Sequence, residues 1–279
     1  LVYNIYRTIR ANQTIEDDFA EAPALAVISK NRLSGEKFHP WLERRPIQLT
    51  ILATVAILIG GIIQIVPTIM VDSNIPTIAA VKPYTPLELE GRDLYIREGC
   101  VGCHSQMVRP FRSEVERYGP QSKAGEYVYD HPFLWGSKRT GPDLMRVGQK
   151  YNDNWHFNHM WDPQSTSAGS IMPGFKWLYD NEAMDISDIE AKMRVMQKLG
   201  VPYTDEEVAN AKTAIAKQAQ KIEENLHADP DFVKSYEDSK KAAAAHGEEF
   251  VPMSQREIVA VIAYLQRLGT DIKVKDNAK

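Results

Sequence analysis

The apolar residues of this chain fall into one long uninterrupted run and a series of shorter amphipathic segments. Residues 47–71, IQLTILATVAILIGGIIQIVPTIMV, carry no charge, and about 20 such residues suffice to cross a bilayer core as a helix. The run is too long for a signal-peptide core and lacks a small-residue cleavage site. Gln48, Thr50, Thr54, Gln64 and Thr68 make it more polar than a lone anchor requires, and Gly60-Gly61 would let another helix approach closely. Further on, Thr85 followed by Pro86 marks a helix start. Leu87, Leu94, Tyr95 and Ile96 give that helix a mixed apolar face, which ends at Gly99. Near the far end, Ser254 and Glu257 predict a capping box, with Met253 and Ile258 as a hydrophobic staple. Ile258, Val261, Ile262, Leu265 and Leu268 then recur at helical spacing up to Gly269. This closing helix is expected to pack across the helix that starts at Thr85.

The intervening segments are less regular. Residues 105–135 are rich in Arg, Tyr, Gly and Pro and predict an irregular loop. Thr140-Gly141-Pro142-Asp143-Leu144 predicts a turn leading into a helix. Segments 185–198 and 204–226 have helix-forming composition. The stretch 182–247 reads as a helical insertion whose charge runs face solvent, with Ala242 to Ala245 in a solvated excursion. Upstream of the apolar run, 1–10 look like the end of a helix, with Tyr3 and Tyr6 suited to a membrane interface and Arg7 and Arg10 just beyond it. Residues 11–46, with Pro23, Gly35, Pro40 and Pro46, predict a linker holding one short helical piece. Residues 72–84, with Pro76 and Pro83, predict an extended tether. The expected organisation is therefore a segment 1–46, a transmembrane helix 47–71, a tether 72–84 and a mainly α domain 85–279.

Charge sets the orientation. Arg7, Arg10, Lys30, Arg32, Lys37, Arg44 and Arg45 precede the span, whereas the first cation after it is Lys82. The positive-inside rule places 1–46 in the cytoplasm and 72–279 outside it, as expected of a single-pass chain in a bacterial inner membrane. The net charge of -4 gives no reason to expect a nucleic-acid partner.

The candidate chemistry is concentrated in Cys100-Val101-Gly102-Cys103-His104. Two thiols three positions apart followed by a histidine read as a covalent attachment site for c-type haem, with the imidazole as proximal iron ligand. The chain has 2 cysteines, so no second pair exists to complete a four-ligand zinc site. A thioredoxin-like pair would follow a strand and has no use for His104. The Gly141-Pro142 turn predicts a second role: the Pro142 carbonyl accepts the other imidazole N–H and fixes the tautomer. Arg109, Arg112 and Arg139 are candidate partners for haem propionates. For the sixth iron position, Met172 lies in the loop Ser170-Ile171-Met172-Pro173-Gly174-Phe175, which presents its thioether outside any helix. Met107, Met145, Met160 and Met184 compete with it, as do His156 and His159, three apart on a helix.

Together these parts resemble a class I cytochrome c domain: an opening helix, C-V-G-C-H, the T-G-P-D-L turn, a distal S-I-M-P loop and the closing helix V-A-Y-L-Q-R-L-G. More specifically, HPWLERRPIQLT with the span that follows resembles the monohaem subunit of cbb3-type cytochrome c oxidase. So do GRDLYIREGCVGCHSQMVRPFRSEVERYGPQSKAGEYVYDHPFLWGSKRTGPDL and DPQSTSAGSIMPGFKWL. The resemblance implies one covalently bound haem c at Cys100 and Cys103, with His104 and Met172 as axial ligands. It implies a non-catalytic chain that passes electrons to a haem–copper catalytic subunit, beside a further c-type cytochrome subunit. LVYNIYRTIR resembles the end of that catalytic subunit's last span, which leads to the expectation of a fused chain divided at Leu1. Two other readings predict different proteins: the cytochrome subunit of a nitric oxide reductase, and a haem-based gas sensor with a labile sixth ligand.

Overall fold

The computed structural model describes residues 37–70, 77–136 and 138–273, together with Tyr3, Tyr6, Arg7 and Arg10. Most of the expected 11–46 linker and residues 72–76 of the tether lie outside the described residues. Tyr3, Tyr6, Arg7 and Arg10 are helical. The chain divides into two units, 1–70 and 71–279.

In the first unit, α1 (Phe38–Glu43) leads into α2 (Pro46–Met70). Arg45 sits between them, its guanidinium 4.5 Å from the centre of the Trp41 ring. A proline at the start of α2 costs nothing, because the first helical N–H groups have no partner in any case. Pro67 lies inside the helix and removes a backbone donor. Next to it the Thr68 hydroxyl donates to the Gln64 carbonyl at 2.8 Å. Residues 46–68 are long and apolar enough to cross a membrane.

The second unit is helical, with no strand among the described residues. Its opening helix α3 (Pro86–Arg97) starts as expected. Thr85 accepts from the Glu88 N–H and Glu88 accepts from the Thr85 N–H. Residues 105–135 are largely irregular, broken by α4 (Arg112–Tyr118) and a 3-10 turn at Ala124–Tyr127. The helix expected directly after Leu144 does not form. Asp143 accepts the Met145 N–H at 2.9 Å, a local bond that competes with helix formation. Turns continue to Lys150, and α5 (Asp153–Trp161) begins where Asn152 caps Trp155 N–H. A one-turn α6 (Pro163–Thr166) follows.

The stretch read as a solvated insertion instead builds core. It comprises α7 (Ile189–Lys198), α8 (Asp205–Ala209), α9 (Ala211–Leu226) and α10 (Pro230–His246). Ala211, Ile215, Ala219, Ile222 and Leu226 line one face of α9 and are at most 7% exposed. They belong to the same cluster as the closing helix. Of the four alanines 242–245, Ala243 is buried and the others are exposed, closer to the expectation.

The closing helix α11 (Glu257–Arg267) crosses α3, as expected. The crossing is close enough to require glycine: a Cβ at Gly91 would lie 1.9 Å from the Ala260 carbonyl oxygen. Tyr95 and Tyr264 meet edge to face across it, with ring centres 5.4 Å apart. Its start differs from the expected capping box. Residues 253–255 form a 3-10 turn, and Arg256 occupies the cap position without a side-chain cap. Glu257 is drawn away to the Arg97 guanidinium, and the Ser254 N–H donates to Glu223. A charged partner outcompetes a backbone N–H for the Glu257 carboxylate.

Candidate functional site

α3 delivers the cysteine motif. Gly99, at φ +71°, turns the chain out of the helix into the 3-10 turn Cys100–Gly102. The Cys103 and His104 N–H groups both donate to the Cys100 carbonyl, at 3.1 and 2.9 Å. Neither thiol is in a disulfide; Cys100 is half-buried and Cys103 exposed. Burial, then the charge of Glu98, pushes the Cys100 thiol up to about 12.

His104 is held by the 140–144 turn. Its Nδ1 lies 2.8 Å from the Pro142 carbonyl oxygen. A carbonyl can only accept, so Nδ1 carries the proton and Nε2 is left with a lone pair. Burial lowers the affinity of this imidazole for a second proton, against the opposing effects of the Pro142 bond and Asp143. Gly141 lies against the ring: a Cβ there would be 2.2 Å from Cε1 and 2.6 Å from Nδ1. The turn is fixed to the motif by Gly141 N–H to Cys103 O at 3.0 Å and Leu144 N–H to Ser105 O at 2.8 Å. Pro142 thus stands where the sequence predicts it.

Beneath the turn, Asp143 organises the chain after the motif. Its Oδ2 accepts from Ser105 Oγ at 2.6 Å and from the Met107 N–H at 2.8 Å. Arg139 joins the same network. It donates to Ser105 Oγ at 2.6 Å and the Met107 carbonyl at 2.8 Å, and pairs with Glu114 at 2.6 Å. Hydrogen bonding from Arg139, with Arg109 adding to it, holds the Glu114 carboxyl down at about 2. Arg109 pairs with Glu114 and Arg112 with Glu116. The closing helix reaches this layer through the Tyr264 hydroxyl, which donates to Gln106 at 3.0 Å.

The methionines separate by environment. Met145, Met160 and Met184 are buried core residues. Met107 follows His104 closely and has both backbone groups in the Asp143–Arg139 network. Met172 is half-buried in a loop and touches the margin of the main core, as do Cys100, Val101 and Leu144. Its loop is brought towards the motif by Trp177, whose indole N–H donates to Glu98 at 2.8 Å. His156 is buried, and burial lowers its pKa to about 4; its Nε2 has no hydrogen-bond partner. His159 is bonded to Thr166 rather than presented on a surface.

The residues fit a c-type haem. Two free thiols stand one turn apart, and a neutral imidazole behind them has its Nδ1 fixed and its Nε2 lone pair available. Sequence reasoning missed Gly141, Asp143 and the His159–Thr166 pair. Gly141 and Asp143 both lie in the T-G-P-D-L turn, whose sequence shows the turn but not the contacts these two residues make with His104, Ser105 and Met107.

No curated protein matches the chain. A family model described as "Cytochrome C oxidase, mono-heme subunit/FixO" matches residues 39–272. The match takes in α2, the cysteine motif, the Met172 loop and the closing helix. This chain belongs to the FixO family, the mono-heme subunits of cytochrome c oxidase.

Proposed function

We propose that the chain is a membrane-anchored c-type cytochrome, and that it relays electrons to the haem–copper catalytic subunit of a cbb3-type oxidase. The observation that carries the reading is the His104–Pro142 bond, with Gly141 packed on the ring directly behind two free cysteines. One haem c is attached through Cys100 and Cys103 in a class I cytochrome c domain. Bound there, the haem supplies one-electron chemistry at its iron.

The chain's own residues supply placement. His104 offers Nε2 on one side, because Pro142 holds Nδ1–H. Met172 offers its thioether on the other, which its position outside the core supports. A methionine ligand raises the reduction potential, as suits a carrier feeding a terminal oxidase. A haem held by both residues would leave this chain no open iron position for oxygen, so oxygen reduction would belong to its partner. Arg139 we assign to pinning residues 105–107 and Glu114, not to a propionate, because its guanidinium is already engaged there. The span anchors the chain in the inner membrane with residues 1–46 cytoplasmic and the haem domain periplasmic. A further c-type cytochrome subunit lies upstream in the electron path. The family match favours neither the nitric oxide reductase subunit nor the gas sensor.

Acid–acetone extraction of the denatured protein tests the attachment. Haem that stays with the polypeptide supports the reading, and Cys100→Ala with Cys103→Ala must release it. Haem extracted from the unsubstituted chain overturns it.

A further inference from the structure

The loop that carries Met172 runs from the end of α5 to Phe175, and its base is sealed. The Phe175 N–H donates to the Met160 carbonyl at 2.8 Å. Gly174 lies so close to the Trp161 carbonyl oxygen that a Cβ would stand 2.5 Å from it. Within the loop, short-range bonds hold successive turns: Ser165 Oγ to Asp162 O, Ser170 N–H to Ser167 O, Gln164 Nε2 to Ser170 O and Met172 N–H to Ser170 Oγ. All of these are internal to the loop and would move with it.

One bond ties the body of the loop to the scaffold. His159 Nδ1, on α5, and Thr166 Oγ1, at the end of α6, are 2.6 Å apart. Among the described residues it is the only hydrogen bond from an α5 side chain to this loop. The imidazole is itself fixed. It stacks on Trp155 with ring centres 4.5 Å apart and planes 13° from parallel, and Trp155 stacks on Tyr151 at 3.9 Å. Burial disfavours protonation of His159. The tether therefore comes from a rigid, neutral ring on a helix, and it divides a long closed loop into two short ones.

We propose that His159 is a positioning residue for the sixth ligand: through Thr166 it holds the 162–175 loop on α5 and so fixes where the Met172 thioether stands. The proposal rests on Met172 being the ligand. A ligand's orienting partner is worth as much as the contact it directs, because a metal–ligand bond is intolerant of small displacements. With the tether intact the loop has little freedom apart from its sealed base. Without it, Met172 keeps its sealed base and its packing at the core margin but loses the hydrogen bond to α5, and the open state of the loop gains population.

The test uses the full-length haem-loaded protein and three substitutions. His159→Phe keeps a flat ring on Trp155 but removes Nδ1. Thr166→Val removes the hydroxyl at constant shape. His159→Asn restores a polar amide near the place of Nδ1. Two readouts are followed. One is the temperature at which the near-infrared sulfur-to-iron charge-transfer band of the oxidised protein disappears. The other is the rate at which the reduced protein takes up carbon monoxide, which requires the thioether to leave. His159→Phe and Thr166→Val should each lower the first by several degrees and raise the second roughly five- to tenfold, the scale of one lost hydrogen bond. The double substitution should be no worse than either single one, and His159→Asn should recover most of the wild-type band stability and slow uptake. Singles that retain wild-type band stability and uptake, or effects that simply add in the double variant, overturn the tether. A wild-type protein without the band overturns the Met172 assignment instead, which keeps the two failures apart.

Discussion

Gly141→Ala isolates the contact on which the proximal site depends. The new Cβ would stand 2.2 Å from His104 Cε1, 2.6 Å from Nδ1 and 2.8 Å from Nε2. Carbon contacts are comfortable from about 3.5 Å, so the methyl is roughly 1 Å too close to the whole ring edge. Either the imidazole or the turn must retreat. Retreat stretches the 2.8 Å bond from His104 Nδ1–H to Pro142 and the 3.0 Å bond from Gly141 N–H to Cys103. Two weakened hydrogen bonds at about 1 kcal/mol each, with overpacking strain of about 1–2 kcal/mol, predict a loss of about 3 kcal/mol in stability. The potential should move as well. Donation from Nδ1–H makes the imidazole a stronger ligand and favours oxidised iron. Losing about 1 kcal/mol of that effect raises the potential by about 40 mV for one electron. Urea titration and a redox titration of the haem-loaded protein measure the two quantities. If Gly141→Ala unfolds and titrates like the wild type, the ring does not sit against this turn and the proximal geometry is wrong.

Leu226→Ala, at a fully buried position on α9, should cost about 2–5 kcal/mol in urea unfolding, where a solvated excursion would lose almost nothing. Arg139→Ala should destabilise the domain by about 1–2 kcal/mol near neutral pH, because it removes one of the two guanidinium partners of Glu114 and the bonds to Ser105 and Met107. The Glu114 carboxyl is held down at about 2, so its contribution is complete above its unfolded pKa of about 4.3 and is lost as pH falls towards the folded value. The stability gap between wild type and Arg139→Ala should therefore narrow through that acid window. A pH-independent gap, or a change in reduction potential with no loss of stability, would return Arg139 to the propionates. Protease added outside intact spheroplasts should cleave within 72–279 and spare 11–46; cleavage in 11–46 reverses the orientation.

The elements built on a single strong local rule were legible in the sequence. Thr85-Pro86 gave the start of α3, the uncharged run gave α2, and the spacing of Ile258 to Leu268 gave the face of α11 and its partner. What failed was decided by distant partners. The Ser254–Glu257 box looked sound locally, but Arg97 lies 160 residues away in sequence and takes the carboxylate. The helix after Leu144 was displaced by Asp143, whose carboxylate also serves Ser105 and Met107. The α9 face was hidden by its alanines. Ala211 and Ala219 were counted as helix formers, although small residues are what allow the helix to sit in the core. At the site, the Cys-x-x-Cys-His spacing and the Gly141-Pro142 turn could be read as local motifs. Arg139 could not, since a guanidinium's partner is set by the fold and not by its neighbours. His159 was one of several histidines until α5 and α6 placed Thr166 beside it.

We propose an iron held on both sides by His104 and Met172, in a chain that carries electrons and leaves oxygen to its partner. Near-infrared spectroscopy of the oxidised protein, compared with Met172→His, tests it most directly. The wild type should show the sulfur-to-iron band. In the variant, the band should be absent and the potential lower, with the haem still covalently attached. A band that survives Met172→His, or a wild type that lacks it, would contradict the account.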